Sequence, residues 1–383
     1  MERLPISYCT NVHPCKVAAD VAPLLDQYTL PVRQRCGFDV AAGLWLPATA
    51  ASEVAADPDK LAALADKLRR RDVTCYTLNA FPFGDFHSTR VKENVYLPDW
   101  SDPRRLEYTR QCANILVGLI GDRTEGSIST LPLGFKGFEH SAEFEPAAIR
   151  QLLAFARDCE SLEAATGKCI RLALEPEPFC LFETTAETTA FFARLFAAAA
   201  RDGMEQVARR YLGVCYDVCH QAVEFEDAGE AIRALQAADI RINKVQVSCA
   251  VEMSDPRDPA QREALLQFAE PRYLHQTMAR RADGSIARLI DLTESFVRTP
   301  SAEFLDARPW RVHFHVPVDA PHLGVLGTTR PELVRALRAI VALPYLPHLE
   351  VETYTWPVMP GADPITLVEG LAKEIIATAA LLP

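Results

Sequence analysis

The chain has 383 residues and a formal net charge of −11 at pH 7, and 49% of its residues are hydrophobic. This composition is ordinary for a globular protein with a substantial core. The negative net charge argues against nucleic acid as a partner. The longest basic run, at residues 67–71, lies at the end of a helical pattern, where positive charges complement the helix dipole.

The cysteines and the amino-terminal residues bear on the cellular compartment. The 11 cysteines are scattered and include no CxxC motif, which is typical of reduced thiols in a cytoplasmic protein. His13, Lys16 and Asp20 interrupt any apolar stretch near the amino terminus, so we expect no secretory signal. The alanine-rich segments carry charges too often to span a membrane. We therefore expect a cytoplasmic protein.

Strand-like apolar runs alternate with helix-like runs along the whole chain. The candidate strands lie at residues 5–10, 43–46, 73–79, 126–131, 170–175, 213–217, 244–249, 311–316 and 349–354. Several helix starts show a capping aspartate before a proline at the first helical position, namely Asp57-Pro58, Asp102-Pro103, Asp258-Pro259 and Asp363-Pro364. Thr329 and Glu332 have the spacing of a capping box. This alternation predicts parallel strands joined by helical crossovers.

The number of candidate strands favours a barrel. There is one candidate more than the eight strands of a parallel (β/α)8 TIM barrel, so we expect either 244–249 or 311–316 to lie outside it. Between these runs, Asp283-Gly284 predicts the turn of a hairpin inserted over the barrel mouth. We expect one α/β domain over residues 1–383, with an insertion at about 251–310. A doubly wound open sheet is the alternative, and the lack of a GxGxxG motif after the first strand weakens it.

Carboxylates and imidazoles occur at the ends of several candidate strands. One strand ends in Glu175, and the next ends in Asp217, with His220 three residues later. His315 and Glu352 lie near the ends of the last two candidate strands. The carboxyl ends of the strands of a parallel barrel meet at one face, where barrel enzymes hold their active sites. Oxygen and nitrogen donors that converge in this way suit a divalent cation.

Each of these residues also has a structural interpretation. Glu175 could start an acidic loop, and Asp217 could cap the next helix with His220 packed beside it. His313 shares a strand face with the histidine two residues later, so at least one of the two is expected to be structural. Glu350 cannot be buried without compensation, so we expect it to pair with a cation inside the barrel or to join a hydrogen-bond network.

Loops after the first and third strands supply candidate substrate contacts. His13 follows the first strand, where a loop-capping role competes with substrate contact. Asn79, Lys92 and Trp100 belong to an aromatic-rich segment after the third strand. Aromatic side chains over a barrel mouth make walls for a cyclic ligand, whereas exposed packing is the alternative. We predict that these four residues bind substrate.

The order of the strand ends resembles that of a known superfamily. A strand ending in Glu175, a strand ending in Asp217-Val218-Cys219-His220, a strand around Gln246 and a last strand ending in Glu352-Thr353 are together similar to the xylose-isomerase-like TIM barrels. That superfamily includes ketose 3-epimerases, inosose dehydratases and endonuclease-IV-type phosphodiesterases. Within it, the segments 8–14, 79–84 and 348–356 resemble EboE-type metabolite traffic proteins, and the resemblance covers nearly the whole chain.

The resemblance implies a ligand set and an acid–base pair. It places a divalent cation, which would be Mn, Zn, Co or Mg, on Glu175, Asp217, the Gln246 position and Glu352. Gln246 departs from the usual histidine, and an amide oxygen ligates a cation more weakly than a charged group. His315 is expected to supply the nitrogen if its strand is the seventh of the barrel. In related epimerases the two metal-binding glutamates also transfer the proton, and here these are Glu175 and Glu352.

These roles imply a metal-dependent isomerase or epimerase acting on a small molecule, which would be a sugar, a polyol or a cyclitol. His220 would bind a substrate hydroxyl or orient Asp217. The first alternative is phosphoester hydrolysis, which needs more histidines to hold a metal cluster. The second is a metabolite-binding protein without turnover on the same barrel, which Gln246 permits. We expect no nucleic acid and no membrane span, and a homo-oligomer is left open.

Overall fold

The computed structural model describes residues 4–84, 86–361 and 364–382, and strands in this part of the chain form two sheets. In chain order the strands are β1 (Ile6–Cys9), β2 (Val40–Trp45), β3 (Thr77–Asn79), β4 (Glu125–Thr130), β5 (Cys169–Leu174), β6 (Leu212–Asp217), β7 (Ile242–Val247), β8 (Cys249–Met253), β9 (Thr277–Arg280), β10 (Ile286–Leu289), β11 (Trp310–Val316), β12 (His322–Leu323), β13 (Leu326–Thr328) and β14 (His348–Val351). Eight parallel strands close into a barrel in the order β1-β14-β7-β6-β5-β4-β3-β2. This confirms the predicted fold class.

Helices join the barrel strands. In chain order they are α1 (Val21–Leu24), α2 (Leu30–Cys36), α3 (Ala48–Ala55), α4 (Pro58–Arg70), α5 (Pro103–Leu119), α6 (Phe144–Thr166), α7 (Thr185–Arg201), α8 (Glu205–Tyr211), α9 (Val218–Val223), α10 (Ala228–Ala237), α11 (Pro259–Leu265), α12 (Glu294–Arg298), α13 (Ala302–Asp306), α14 (Arg330–Val341) and α15 (Pro364–Ala380). Among the described residues, none of these helices combines the length and the apolar character needed to cross a membrane.

The predicted helix caps are mostly confirmed. Asp57, Asp102 and Asp258 accept backbone N–H groups of the first turns of α4, α5 and α11, which satisfies donors that the helix leaves unpaired. The predicted capping box at Thr329 is wrong, because its hydroxyl accepts the backbone N–H of Ala250 at 2.8 Å instead. The fourth predicted cap, residue 363, lies outside the described residues.

The second sheet resolves which candidate run belongs to the barrel. The seventh barrel strand is β7, and β11 instead pairs antiparallel with β8 and β9 in a sheet of order β10-β9-β11-β8-β13-β12. The predicted hairpin is confirmed, since β9 and β10 pair antiparallel around the turn that contains Gly284. The sheet runs from β8 to β13, beyond the predicted insertion at about 251–310. Its strand β11 therefore carries the two predicted histidines without being a barrel strand.

A buried ion pair lies inside the barrel. The Nζ of Lys244 on β7 lies 2.5 Å from the Oε1 of Glu350 on β14, and both side chains are fully buried. Ser7 Oγ donates to Glu350 Oε2 at 3.1 Å, and Lys244 Nζ donates to Ser129 Oγ at 3.2 Å. A Cβ at Gly43 would overlap the Glu350 carboxylate, so only glycine leaves room for this pair. The expectation that Glu350 pairs with a cation inside the barrel is confirmed.

Candidate functional site

The predicted ligands lie together at the carboxyl ends of neighbouring barrel strands. Glu175 directly follows β5, Asp217 ends β6, Gln246 lies on β7, and Glu352 directly follows β14. All four side chains are buried. Asp217 and Gln246 are register partners in the β6–β7 pair, which places them side by side. Adjacent parallel strands therefore deliver side chains from distant sequence positions to one region.

Three carboxylates converge at these strand ends. Glu175, Asp217 and Glu352 each offer an oxygen within 4.8 Å of the others. Glu175 Oε2 and Asp217 Oδ2 are buried and have no hydrogen-bond partner. Burial raises the pKa of Glu175 well above its ordinary value, and the charge of Glu352 adds to the effect. Burial, and next the charge of Asp217, raise the pKa of Glu352 to about 8. A bound cation would offset the repulsion between these buried carboxylates and their loss of hydration. The donor set therefore fits a divalent metal.

Asp217 has both of the roles that its position suggests. Its Oδ1 accepts the backbone N–H groups of Cys219 at 2.6 Å and His220 at 3.1 Å, and the hydroxyl of Ser248 at 2.9 Å. These bonds cap α9 and fix the carboxylate plane. The second oxygen, Oδ2, is thereby directed away from the cap and is left without a partner. The capping and ligand interpretations are therefore compatible.

Two amide side chains hold Glu352 in place. Asn11 Nδ2 and Asn79 Nδ2 each donate to Glu352 Oε1 at 2.8 Å. Asn79, predicted as a substrate contact, thus contacts a predicted ligand and also lines the cleft described below. Asn11 was absent from the sequence-based set. Its position after β1, the neighbour of β14 in the barrel, is the signal that could have identified it.

Three histidines stand beside the carboxylates. The Nδ1–H groups of His220 and His315 donate to the backbone oxygens of Pro176 at 2.9 Å and Glu352 at 2.7 Å, respectively. These bonds set the tautomer and leave each Nε2 as an acceptor. The two Nε2 atoms lie 3.7 Å and 3.9 Å from Asp217 Oδ2. Burial lowers the pKa of His220 to about 4, so this imidazole is neutral near pH 7.

The third histidine, His313, extends the cluster toward Glu177. Its Nε2 lies 3.2 Å from His315 Nε2, and its Nδ1 lies 2.7 Å from Gln276 Oε1. Glu177 Oε1 accepts the hydroxyl of Tyr96 at 2.7 Å. Burial raises the pKa of Glu177 to about 8. Two further donor sets are Asp217–His220–His315 and Glu177–His220–His313. In each of them, as in the carboxylate set, the potential ligand atoms lie within 4.8 Å of one another. Neither Glu177 nor His313 was predicted as a ligand.

Gln246 is buried and unsatisfied. Both its Oε1 and its Nε2 lack a hydrogen-bond partner. A buried amide without partners is unfavourable, so a ligand in this region would satisfy it. The interpretation of its oxygen as a metal ligand stays a prediction.

The remaining predicted substrate contacts are placed differently. Lys92 lines the cleft, but its ammonium donates to Asp291 Oδ2 at 2.8 Å and to the backbone oxygens of Tyr273 at 2.6 Å and residue 270 at 3.3 Å. Trp100 is fully buried, and its indole N–H donates to the hydroxyl of residue 130 at 3.1 Å, away from the cleft. His13 stacks on the ring of residue 28 at 4.0 Å beside a separate small cavity. The structure therefore brings Asn79 and Lys92 to the cleft, and not Trp100 or His13.

A cleft opens above the carboxylates. It contains about 500 Å³ of empty space, a volume that includes open solvent at its mouth. Its polar lining residues are Asn11, Asn79, Lys92, Glu175, Glu177, His220, His313 and Glu352. Its other lining residues are apolar or aromatic, namely Phe81, Pro82, Phe86, Val91, Val95, Tyr96, Tyr273, Leu274 and Tyr354. Polar groups that converge at the base of an apolar cleft are typical of a small-molecule site.

Comparisons with known proteins bear on the fold. No protein-family model and no curated protein matches the sequence. A structure of L-ribulose 3-epimerase matches with a TM-score of 0.51 and 14% identity, over 99% of this chain and 94% of that chain. A xylose isomerase-like TIM barrel protein from Mycobacterium smegmatis, in complex with magnesium, matches with a TM-score of 0.52 and 13% identity, over 98% and 97% of the two chains. The chain thus has the (β/α)8 barrel fold of these two proteins, and nothing in these matches supports the narrower EboE-type resemblance.

Proposed function

We propose that the protein is a metal-dependent isomerase or epimerase that acts on a sugar, polyol or cyclitol by proton transfer. The observation that carries the proposal is the convergence of Glu175, Asp217 and Glu352, whose oxygens lie within 4.8 Å of one another. Two of these carboxylates have a buried oxygen with no hydrogen-bond partner. Buried anions in such proximity are retained where they bind a cation or move protons.

The metal would be held by Glu175, Asp217 and Glu352, with the Gln246 amide oxygen as a fourth donor. Mn, Co, Zn and Mg all accept carboxylate ligands, and the site chemistry alone does not select among them. A bound divalent cation would polarise a substrate carbonyl and so make the neighbouring C–H bond more acidic. The backbone N–H groups and the Ser248 hydroxyl that fix Asp217 Oδ1 would keep Oδ2 aimed at the ion.

Glu175 and Glu352 would move the proton. One carboxylate removes the proton from the carbon that bears a hydroxyl next to the carbonyl, which gives a planar enediolate. The other, as its protonated acid, returns a proton to the opposite face of that carbon for epimerisation. For isomerisation it returns the proton to the former carbonyl carbon, while the proton of the neighbouring hydroxyl passes to the former carbonyl oxygen. His220, with its Nε2 free to accept, would bind a substrate hydroxyl or hold Asp217 in position.

Phosphoester hydrolysis is the second candidate, and the histidine cluster favours it. Asp217 forms one further donor set with His220 and His315, and Glu177 forms another with His220 and His313. Hydrolases with two-metal active sites use such adjacent sets of ligands. The net charge of −11 makes a polyanionic nucleic acid an unfavourable substrate. A small phosphoester is the substrate that this alternative would take.

A metabolite-binding barrel without turnover is the remaining alternative. The resemblance to EboE-type traffic proteins implies it, and a glutamine at position 246 in place of a charged or imidazole ligand weakens the metal site. The single-domain organisation, the cytoplasmic location and the oligomeric state likewise stay predictions.

Exchange of substrate protons with deuterated water tests the proposal. The metal-loaded protein is incubated in D₂O with a panel of ketoses and inososes, and deuterium next to the carbonyl is measured by mass spectrometry. We expect incorporation with wild type, its loss in Glu352→Gln, and its retention in Glu160→Gln, a matched change at an exposed glutamate. Hydrolysis of bis(p-nitrophenyl) phosphate without any exchange would instead support the second candidate. Metal binding with neither reaction would support the metabolite-binding alternative.

A further inference from the structure

The cleft has two chemically different halves. Its floor is polar, and Asn11 Oδ1 and Glu175 Oε2 there are buried acceptors without a hydrogen-bond partner. They call for a ligand head group that donates hydroxyl hydrogens. The walls above are apolar and consist of Phe81, Pro82, Phe86, Val91, Val95, Tyr96, Tyr273, Leu274 and Tyr354. A ligand that fills the cleft must therefore be polar at one end and apolar at the other.

Three aromatic rings of the wall pack against one another. The ring of Phe86 lies 4.9 Å from that of Tyr273 and 5.2 Å from that of Tyr354, and the two tyrosine rings are 5.0 Å apart. The hydroxyl of Tyr273 donates to the backbone oxygen of Phe86, and that of Tyr96 donates to Glu177. A hydroxyl group packed against the faces of these rings would lose its water without gaining a hydrogen bond, which is unfavourable. The ring faces therefore favour an apolar group on the part of the substrate that contacts them.

The cleft also lacks an available positive charge among its described lining residues. Its cationic lining residue is Lys92, whose ammonium is engaged by the Asp291 carboxylate and by the backbone oxygens of residues 270 and 273. Lys92 thus has neither a free hydrogen nor an uncompensated charge. Glu175, Glu177 and Glu352 add negative charge to the floor. A phosphate group on the distal part of a substrate would meet no cation there.

We propose that the substrate is an uncharged sugar or cyclitol with an α-hydroxycarbonyl head and an apolar aryl or alkyl substituent. The head occupies the floor between Glu175 and Glu352, and the substituent packs against Val95 and the rings of Phe86, Tyr273 and Tyr354. The assignment of the head rests on the proposed function. The assignment of the substituent rests on the wall alone.

Three small ketones test this substrate class because they share one head group. Hydroxyacetone, 2-hydroxyacetophenone and dihydroxyacetone phosphate all contain a carbonyl next to an oxygen-bearing carbon, and they differ in carrying a methyl group, a phenyl group or a charged phosphate. Their dissociation constants are measured by calorimetry on the full-length, Mn²⁺-loaded protein. We expect 2-hydroxyacetophenone to bind at least ~10-fold more tightly than hydroxyacetone, because its ring is removed from water against the wall. Dihydroxyacetone phosphate should bind more weakly than 2-hydroxyacetophenone.

A wall variant makes the test specific. Val95→Thr keeps the side-chain shape but replaces an apolar methyl group by a hydroxyl, so it should reduce the phenyl-to-methyl affinity ratio ~3-fold or more. The matched control is Val207→Thr, at a half-buried valine of α8 that does not line the cleft, which should leave the ratio unchanged. Thermal unfolding of both variants confirms that they fold.

The outcomes separate this inference from the proposed function. Equal affinities for the methyl and phenyl compounds, or tightest binding of the phosphate, overturn the substrate class while leaving a metal-dependent isomerase possible. A phenyl preference that Val95→Thr does not reduce also overturns it. If the protein binds none of Mn, Co, Zn and Mg, the proposed function is overturned, and the phenyl-to-methyl ratio of the metal-free protein still decides the substrate class. Binding of none of the three compounds overturns the substrate class alone.

Discussion

Replacing Lys244 by methionine should strongly destabilise the protein. The ammonium lies 2.5 Å from Glu350 Oε1 and both groups are fully buried, so the variant leaves a buried carboxylate with only the Ser7 hydroxyl as partner. Burial lowers the pKa of Lys244, but the Glu350 carboxylate outweighs it and the pKa is raised, so the lysine is charged. Removing one member of a buried pair costs about 3–5 kcal/mol of the free energy of unfolding.

The matched double variant isolates the electrostatic part of this effect. In Lys244→Met/Glu350→Leu no charge remains to be compensated, and replacing a buried pair by apolar residues is often close to neutral. Denaturant unfolding of the wild type, both single variants and the double variant gives the coupling free energy. We expect the double variant to be more stable than Lys244→Met by about 2 kcal/mol or more. A Lys244→Met loss below about 1 kcal/mol, or a double variant less stable than either single one, would refute the assignment of this pair as a mutually dependent element of the barrel interior.

Three further predictions concern the site and its support. Mn²⁺ should bind at least ~10-fold more tightly at pH 8.5 than at pH 6 in calorimetry, because the metal needs a charged Glu352 and burial raises the pKa of that residue to about 8; affinity independent of pH would contradict this. The metal-free protein should lose stability in thermal unfolding as pH rises from about 7 toward 8, since Glu177 and Glu352, with folded pKa values of about 8, bind protons more tightly than in the unfolded chain. This window lies above the range in which buried histidines such as His220, with a pKa lowered to about 4, oppose the trend, and stability that rises through it would be inconsistent with the burial of the two glutamates. Asn11→Ala removes one of two amide donors to Glu352 Oε1, so metal affinity should fall ~10-fold with little change in the unfolding temperature, and an unchanged affinity would show that Asn79 suffices.

The strand-end chemistry was readable from the sequence because it is local. Glu175 and Asp217 each close an apolar run, and parallel-barrel geometry brings such strand ends together. The convergence of these two residues with Glu352 was therefore predictable without knowing any side-chain conformation. The pairing of Glu350 followed from the cost of burying a lone carboxylate, and the structure supplies Lys244 as its partner.

What the sequence did not reveal depends on long-range placement. His315 was tied to a possible seventh strand, yet it reaches Asp217 from the second sheet, because β11 pairs with β8 rather than with barrel strands. Glu177 joins the site through its contact with Tyr96, 81 positions away, which no local pattern encodes. Lys92 was predicted to bind substrate, but its positive charge is paired with the Asp291 carboxylate, 199 positions away. This ion pair cannot be inferred from the residues around Lys92.

The central claim is that this barrel holds a divalent metal on Glu175, Asp217 and Glu352. Its most direct test is the metal content of protein purified without chelator and offered Mn, Co, Zn and Mg, measured by plasma mass spectrometry for wild type, Glu352→Gln and the exposed control Glu160→Gln. The account predicts stoichiometric metal in wild type and in the control, and a large loss of metal in Glu352→Gln. Wild-type protein that retains none of the four metals would contradict the claim and, with it, the proposed isomerase.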